Sequence, residues 1–247
     1  MSVDRYARHL ALAGFGAAEQ ARLRAATALV IGAGGLGSPA LLYLAAAGIG
    51  QLVVSDFDTV DVTNLQRQVL FTTGDLGRSK AAAAAAHLRE LNPETTVTPV
   101  DGRLLGEELL AAVRQADVVL DCTDNFGTRF ALNLACVQAR KPLVSGAAIR
   151  YEGQLAVFRL DRPGGPCYRC LWQEEAEELE SCRGNGVLGP VPGVIGSLMA
   201  VEALKIASGC APSADGKLVL YDAIENDWRQ LKLERDPACP ACGAEQC

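Results

Sequence analysis

Residues 28–38 read ALVIGAGGLGS, an apolar, β-branched run that breaks into glycines and then leads into a helical stretch. Gly32-Ala33-Gly34-Gly35-Leu36-Gly37 is a G-x-G-x-x-G sequence set between a strand and a helix. Small residues there let phosphate oxygens approach the backbone, and the following helix offers unpaired N–H groups and a favourable dipole. Asp56 ends the next apolar run, where an acid can accept hydrogen bonds from ribose hydroxyls. Gly32, Gly34, Gly35, Gly37 and Asp56 are thus the first candidate nucleotide-binding residues. A tight turn with no ligand would need the same glycines, but not the acid. The loop calls for a nucleotide without saying which, and NAD is its commonest occupant.

Around this loop the chain alternates short β runs (Ala28–Ile31, Gln51–Ser55, Thr95–Val100, Val118–Asp121, Pro142–Ser145) with helical stretches (Ser38–Ala47, Ser79–Leu91, Glu107–Arg114, Arg129–Ala139). That alternation predicts an α/β fold, a Rossmann-like parallel sheet with helices on both faces. After Arg150 the pattern changes. A strand over Gln154–Arg159, a loop rich in Gly, Pro and Cys, a helix over Val194–Ser208, and strands over Lys217–Asp222 and Trp228–Glu234 predict an antiparallel extension of the sheet. One domain over 1–247 is expected, with a helical arm (1–25), a nucleotide-binding core (26–150) and the extension (151–247).

Composition sets outer bounds. The 247 residues are 49% hydrophobic and 21% charged, ordinary for a globular protein, and the net charge of −6 argues against nucleic acid or an anionic membrane as main partner. The N-terminus has no signal-peptide pattern, and the apolar run 187–206 is interrupted by Pro190, Pro192, Glu202 and Lys205. A cytoplasmic protein without a membrane span is the expectation, so the nine cysteines read as thiols or metal ligands.

Beyond Asp56 comes a polar run, Thr63-Asn64-Leu65-Gln66-Arg67-Gln68, which a dinucleotide site does not need. Lys80 opens a predicted helix, and Asp124 follows the strand Val118–Asp121. Reaction at a triphosphate places charge on phosphoryl oxygens and on leaving pyrophosphate, and so calls for cations and a hard oxygen ligand for Mg²⁺. Open α/β sheets bind ligands beyond the carboxyl ends of their strands, where the glycine loop, Asp56, Arg67, Lys80 and Asp124 should converge. Taken singly, Arg67 reads as a surface charge, Lys80 as a helix-end lysine and Asp124 as a helix cap.

Gly-Ala-Gly-Gly-Leu-Gly, Asp56-Phe57-Asp58, Asn64-Leu65-Gln66-Arg67-Gln68, Lys80 and Asp121-Cys122-Thr123-Asp124-Asn125 together resemble the ThiF/MoeB/HesA adenylyltransferases, bacterial relatives of the ubiquitin-activating enzymes. The likeness runs from Arg5-Tyr6-Ala7-Arg8 to the last cysteines. It implies ATP·Mg-dependent adenylation of the C-terminal glycine of a ubiquitin-like sulfur-carrier protein ending in Gly-Gly. On that resemblance Gly35, Asp56, Asn64, Arg67, Lys80 and Asp124 are ATP-site residues, Asp124 on Mg²⁺. Asp58, Thr63, Leu65, Gln66, Gln68 and Asn125, in the same motifs, are counted as nucleotide contacts. Arg8 matches an arginine that reaches into the other subunit's site, which implies a homodimer. The chemistry asks for no general base, because a terminal carboxylate with a pKa near ~3.5 is already an anionic nucleophile. His9 and His87, the only histidines, lie outside the motifs.

Cys167-x-x-Cys170 and Cys239-x-x-Cys242 have the spacing of a tetrahedral structural zinc site, closing the tail onto the loop before it. Redox pairs and idle thiols are the rival readings. Against a redox role, neither pair is expected to open a helix in the thioredoxin manner. The resemblance also carries zinc at these positions. Cys182 stands unpaired beside Arg183, a neighbour that favours thiolate, but no base is visible, and its role as a nucleophile stays open. In ThiF-like relatives the matching cysteine can link to the activated carrier. With no rhodanese-like stretch after Cys242, a separate persulfide donor is expected. The carrier's pathway, thiamine, molybdopterin or another, is left open. Two other functions are weighed: an NAD-dependent oxidoreductase, which leaves Arg67, Lys80 and Asp124 unexplained, and a non-catalytic binder of a ubiquitin-like partner, which would not need them.

Overall fold

The computed structural model describes residues 5–172 and 186–243. Its centre is an eight-stranded sheet made of β1 (Thr27–Ile31), β2 (Gln51–Ser55), β3 (Thr96–Val100), β4 (Val118–Asp121), β5 (Leu143–Ile149), β6 (Glu152–Phe158), β7 (Lys217–Asp222) and β8 (Asp227–Lys232). The spatial order is β3-β2-β1-β4-β5-β6-β7-β8. The first five strands are parallel, and β6 to β8 continue the sheet antiparallel. Strand order reverses between β1 and β4, the topological switch point at which such sheets bind ligands.

Side chains on β1 alternate between two cores, as the period of a strand demands. Ala28 and Val30 face one core with Leu41 and Leu44 of α3 (Gly37–Ala47), Leu88 of α4 (Lys80–Leu91) and Met199 of α8 (Pro190–Ser208). Leu29 and Ile31 face the other, with Val113 of α5 (Gly106–Gln115) and Leu132 of α6 (Phe126–Ala139). Both edges are poor templates for further pairing: β3 carries Pro99, and β8 carries Asp227, Arg229 and Lys232.

The predicted strands and helices are present with bounds shifted by a few residues, as where α6 starts at Phe126, not Arg129, and three differences have a clear physical cause. Strand β5 runs on to Ile149 because it pairs residue by residue with β6 across a tight turn at Arg150, whose φ is 53°. Helix α8 begins at Pro190, not Val194. Its two prolines lie in the first turn, where the missing N–H groups would have had no intrahelical partner. Read as one helix, α8 is long and apolar enough to cross a membrane by length and composition. It is nonetheless a core helix here, with Val191, Ile195, Met199 and Ala203 buried. The third difference concerns the first cysteine pair: Cys167 caps a short helix, α7 (Tyr168–Leu171), that contains Cys170. Two further helices form the N-terminal arm, α1 (Ala7–Leu10) and α2 (Ala17–Ala25).

Candidate functional site

The glycine loop leaves β1 at Gly32 with φ 93°, a left-handed conformation that favours glycine. Gly37 opens α3 against the same residue: a Cβ on Gly37 would lie 2.0 Å from the Gly32 carbonyl oxygen. The loop and the helix N-terminus are therefore locked together, and the cleft beside them is lined by Gly32, Gly34 and Gly35. Gly37 packs the turn behind it.

Asp56 is buried at the end of β2. Its Oδ2 accepts from the Ala33 N–H at 2.8 Å and its Oδ1 from the Asp58 N–H at 2.9 Å. Burial raises its pKa, and these two backbone donors oppose the rise. The acid thus ties the glycine loop to the β2 exit and still has lone pairs directed at the cleft it lines.

Lys80 arrives by a short antiparallel pairing. Thr59 bridges Ser79, the Val60 N–H donates to the Arg78 carbonyl, and the Lys80 N–H donates to the Asp58 carbonyl. Ser79 caps α4 by accepting from the Ala82 N–H at 3.3 Å. The ammonium is buried and bonds Asp58 Oδ2 at 3.1 Å.

Of the polar run, Arg67 and Gln68 line the cleft. The Arg67 Nη1 donates to the Thr63 carbonyl at 3.1 Å, and its stem lies beside Gly35. Gln68 is buried, and its Oε1 has no hydrogen-bond partner among the described residues. A buried acceptor without a donor is costly, and Gln68 bears that cost while its Nε2 lies beside Gly34 of the glycine loop. The other members of the run build the turn: Thr63 donates to Asp61 by N–H and hydroxyl, Asn64 Nδ2 donates to Thr63 Oγ1 at 3.3 Å, Leu65 packs on the core, and the Gln66 carbonyl lies against Gly189.

Asp124 and Asn125 reach the cleft from the far side of the switch point, after β4. Asn125 also caps α6 through the Thr128 N–H at 2.9 Å. The Asp124 carboxylate is exposed and has no hydrogen bond or ion pair within the described residues. An exposed carboxylate lining the cleft offers a hard oxygen that suits Mg²⁺, which keeps most of its waters.

Several lining residues escaped the sequence reading. The Arg103 guanidinium stacks 3.9 Å from the centroid of the Phe57 ring, and both Arg103 and buried Arg129 line the cleft. Neither carries a local motif, since each owes its place to contacts made far along the chain. Arg8 is exposed on α1, outside this cleft; the arm is anchored by buried Tyr6, whose hydroxyl donates to Glu94 at 3.1 Å. His87 pairs with buried Asp75 at 2.7 Å, and His9 packs on Phe15, both away from the cleft. Cys182 lies outside the described residues.

The four cysteine sulfurs converge within 4.8 Å of one another. Cys167 lies 3.6 Å from Cys239, Cys170 lies 3.5 Å from Cys242, and Cys167 and Cys170 are 4.0 Å apart. A tetrahedron of Zn–S bonds of about 2.3 Å has edges of about 3.8 Å, so the spacing fits a metal. The Cys167 sulfur, then backbone N–H groups of Cys167 and Asp236, lower the Cys170 pKa to about 5. Contrary to expectation, the first pair does open a helix, α7, so helix position does not exclude a redox role. What counts instead is that each pair faces the other across 3.5–3.6 Å.

The model of the ThiF family matches residues 6–241. The chain is 47% identical to the Sulfur carrier protein ThiS adenylyltransferase of Escherichia coli K12, covering 97% of this chain and 94% of that protein. It is 46% identical to the Molybdopterin-synthase adenylyltransferase of the same organism, covering 97% and 96%. A solved structure of E. coli MccB with ATP superposes with a TM-score of 0.86 over 98% of this chain and 75% of that one, at 23% identity, a likeness of fold.

Proposed function

The chain belongs to the ThiF family, and from that premise we propose that it is an adenylyltransferase that activates a ubiquitin-like sulfur-carrier protein with ATP. One observation carries the reading: the glycine loop, Asp56, Arg67, Gln68, Lys80 and Asp124 line a single cleft at the switch point of the sheet.

The reaction joins a carboxylate oxygen of the carrier's terminal glycine to the α-phosphorus of ATP and breaks the bond to the β-phosphate. Carrier acyl-adenylate and pyrophosphate are the products. The N–H groups at the start of α3 and the small loop residues receive phosphate oxygens, and Asp56 receives ribose hydroxyls. Arg67 and Lys80 offset charge as pyrophosphate leaves, and Gln68 lines the cleft beside the glycine loop. Asp124 would hold Mg²⁺, which would neutralise phosphate charge when bound. The nucleophile is ionised at neutral pH, which agrees with a cleft that has no histidine in its lining.

The four cysteines are assigned a structural zinc. Arg8 is assigned to the site of a second copy, and Cys182 to the sulfur-transfer step that follows adenylation, with a separate persulfide donor. The test is to incubate the protein with ATP, Mg²⁺ and carriers ending in Gly-Gly, following pyrophosphate exchange and carrier-AMP by mass spectrometry. Carrier-dependent exchange is expected, abolished by Asp124→Ala and spared by Cys182→Ala. Absence of exchange with every such carrier, alongside tight NAD binding, would remove the reading. Mixing Arg8→Ala with Asp124→Ala chains should restore part of the activity. Two inactive parents that stay inactive when mixed would remove Arg8 from the partner's site.

A further inference from the structure

Helix α6 carries two buried polar side chains one turn apart, Arg129 and Asn133, and both bond Tyr168. Arg129 turns toward the nucleotide cleft. Its Nη2 donates to the Thr123 carbonyl at 2.5 Å and to the Gly146 carbonyl at 3.3 Å, and its Nη1 donates to the Tyr168 hydroxyl at 3.4 Å. Thr123 is the residue before Asp124. It is held from its other side by Asp121 Oδ1, which accepts from its N–H at 3.1 Å and its hydroxyl at 2.7 Å.

Asn133 turns toward the cysteines. Its Oδ1 accepts from the Tyr168 N–H at 2.9 Å, and its Nδ2 donates to the Cys167 sulfur at 3.6 Å. An unbroken chain therefore runs from Cys167 through Asn133, Tyr168 and Arg129 to the peptide that carries Asp124. Groups that hydrogen-bond a metal's ligands orient them, and here that outer shell is shared with the cleft. Helix α7, which presents Tyr168, has four residues and is too short to hold itself. What fixes it is its packing and the anchorage of Cys167 and Cys170 at either end.

We infer that Arg129 is a positioning residue for Asp124, and that the Tyr168 hydroxyl makes this positioning depend on metal at Cys167, Cys170, Cys239 and Cys242. The inference rests on Asp124 as the Mg²⁺ ligand of the adenylation reading. Metal at the cysteines fixes the Cys167–Tyr168 segment, which fixes the fork of Arg129 and the carbonyl before Asp124. Metal loss frees α7, Arg129 loses the Tyr168 hydroxyl from its acceptors among the described residues, and the Asp124 turn gains freedom.

The test uses the full chain with a fluorescent ATP analogue and a Mg²⁺ titration, without carrier, so that it reads nucleotide binding whether or not adenylation follows. Tyr168→Phe deletes only the hydroxyl. It should keep its zinc and its melting temperature while the Mg²⁺ concentration for half-maximal binding rises roughly three- to tenfold. Affinity at saturating Mg²⁺ should change less than about twofold. A purely structural role would instead move the melting temperature and both binding parameters together. Arg129→Lys keeps the charge but cannot span the Thr123, Gly146 and Tyr168 oxygens together, and should shift the Mg²⁺ dependence further in the same direction.

Stripping metal from the wild type with a chelator, followed by its removal, should reproduce the shift. Stripping Tyr168→Phe should add little, because the link is already cut. A Tyr168→Phe protein with wild-type Mg²⁺ dependence, or shifts from stripping and substitution that simply add, overturns the inference. If no carrier supports exchange while these binding results hold, the adenylation reading fails and the link stands.

Discussion

Lys80 holds Asp58 twice: its backbone N–H donates to the Asp58 carbonyl at 2.9 Å, and its Nζ donates to Asp58 Oδ2 at 3.1 Å. The first bond draws the start of α4 to the β2 exit, and the second aims a buried ammonium along the cleft. Asp58 is the half-exposed partner, with 49% of its side chain accessible, so water can replace the lysine there. The pair is a holding position for the cation more than a source of stability.

Lys80→Met keeps the stem and its packing but removes the charge. Pyrophosphate exchange should fall by about 10²–10³, as when one preorganised charge-stabilising donor is lost. The melting temperature should stay close to that of the wild type. Exchange within tenfold of wild type would take Lys80 out of the charge-stabilising set.

Gly37→Ala tests the lock between loop and helix. Its Cβ would need to occupy space 2.0 Å from the Gly32 carbonyl oxygen. Backbone cannot yield as a flexible side chain can, so the cost is that of overpacking, roughly 1–3 kcal/mol or more. For a chain of this size that lowers the melting temperature by about 3–10 °C. Gly35→Ala meets Pro192 at 3.2 Å and should be milder. Scanning calorimetry that finds the two variants equally stable would reject this account of the turn.

Asp75 supplies a pH test. Its burial would raise the carboxyl, but the Thr72 N–H, the His87 ring and the Thr72 hydroxyl outweigh that and bring its pKa to about 2. A folded pKa below the ordinary 3.8 means stability that is present above about pH 4 and lost as pH falls through 2. The shift corresponds to roughly 2 kcal/mol. Urea unfolding of Asp75→Asn should therefore show a deficit of about that size at pH 7 that shrinks below pH 4. A deficit that does not change with pH would assign the effect to lost packing instead.

Metal removal should loosen the tail. Residues 236–243 are held to α7 through the cysteines, and Arg235 donates to the Cys242 carbonyl. After chelation, tryptic cleavage at Arg235 should speed up by roughly tenfold or more, because binding energy for a structural metal is also folding energy. Unchanged cleavage in protein shown to be metal-free would mean the tail holds itself.

The sequence by itself determined the elements of the parallel half, the glycine loop, the acid at the end of β2 and the two cysteine pairs. Those are local signals: strand and helix periods, and the few residues a left-handed turn or a thiolate ligand requires. Where a neighbouring element decides, the local reading stopped short. Strand β5 runs to Ile149 because β6 pairs with it, and α8 starts at Pro190 because a first turn tolerates proline.

Only the tertiary structure decided which side chains of each motif reach the cleft. In the run 63–68 the turn sends Arg67 and Gln68 inward and spends Thr63, Asn64 and Gln66 on its own geometry. Arg129 had no signature at all. Its partners, Gly146 and Tyr168, lie 17 and 39 residues away in sequence and meet it only when β5, α6 and α7 pack together. Periodicity records which face of an element is buried, and not which distant element will cover it.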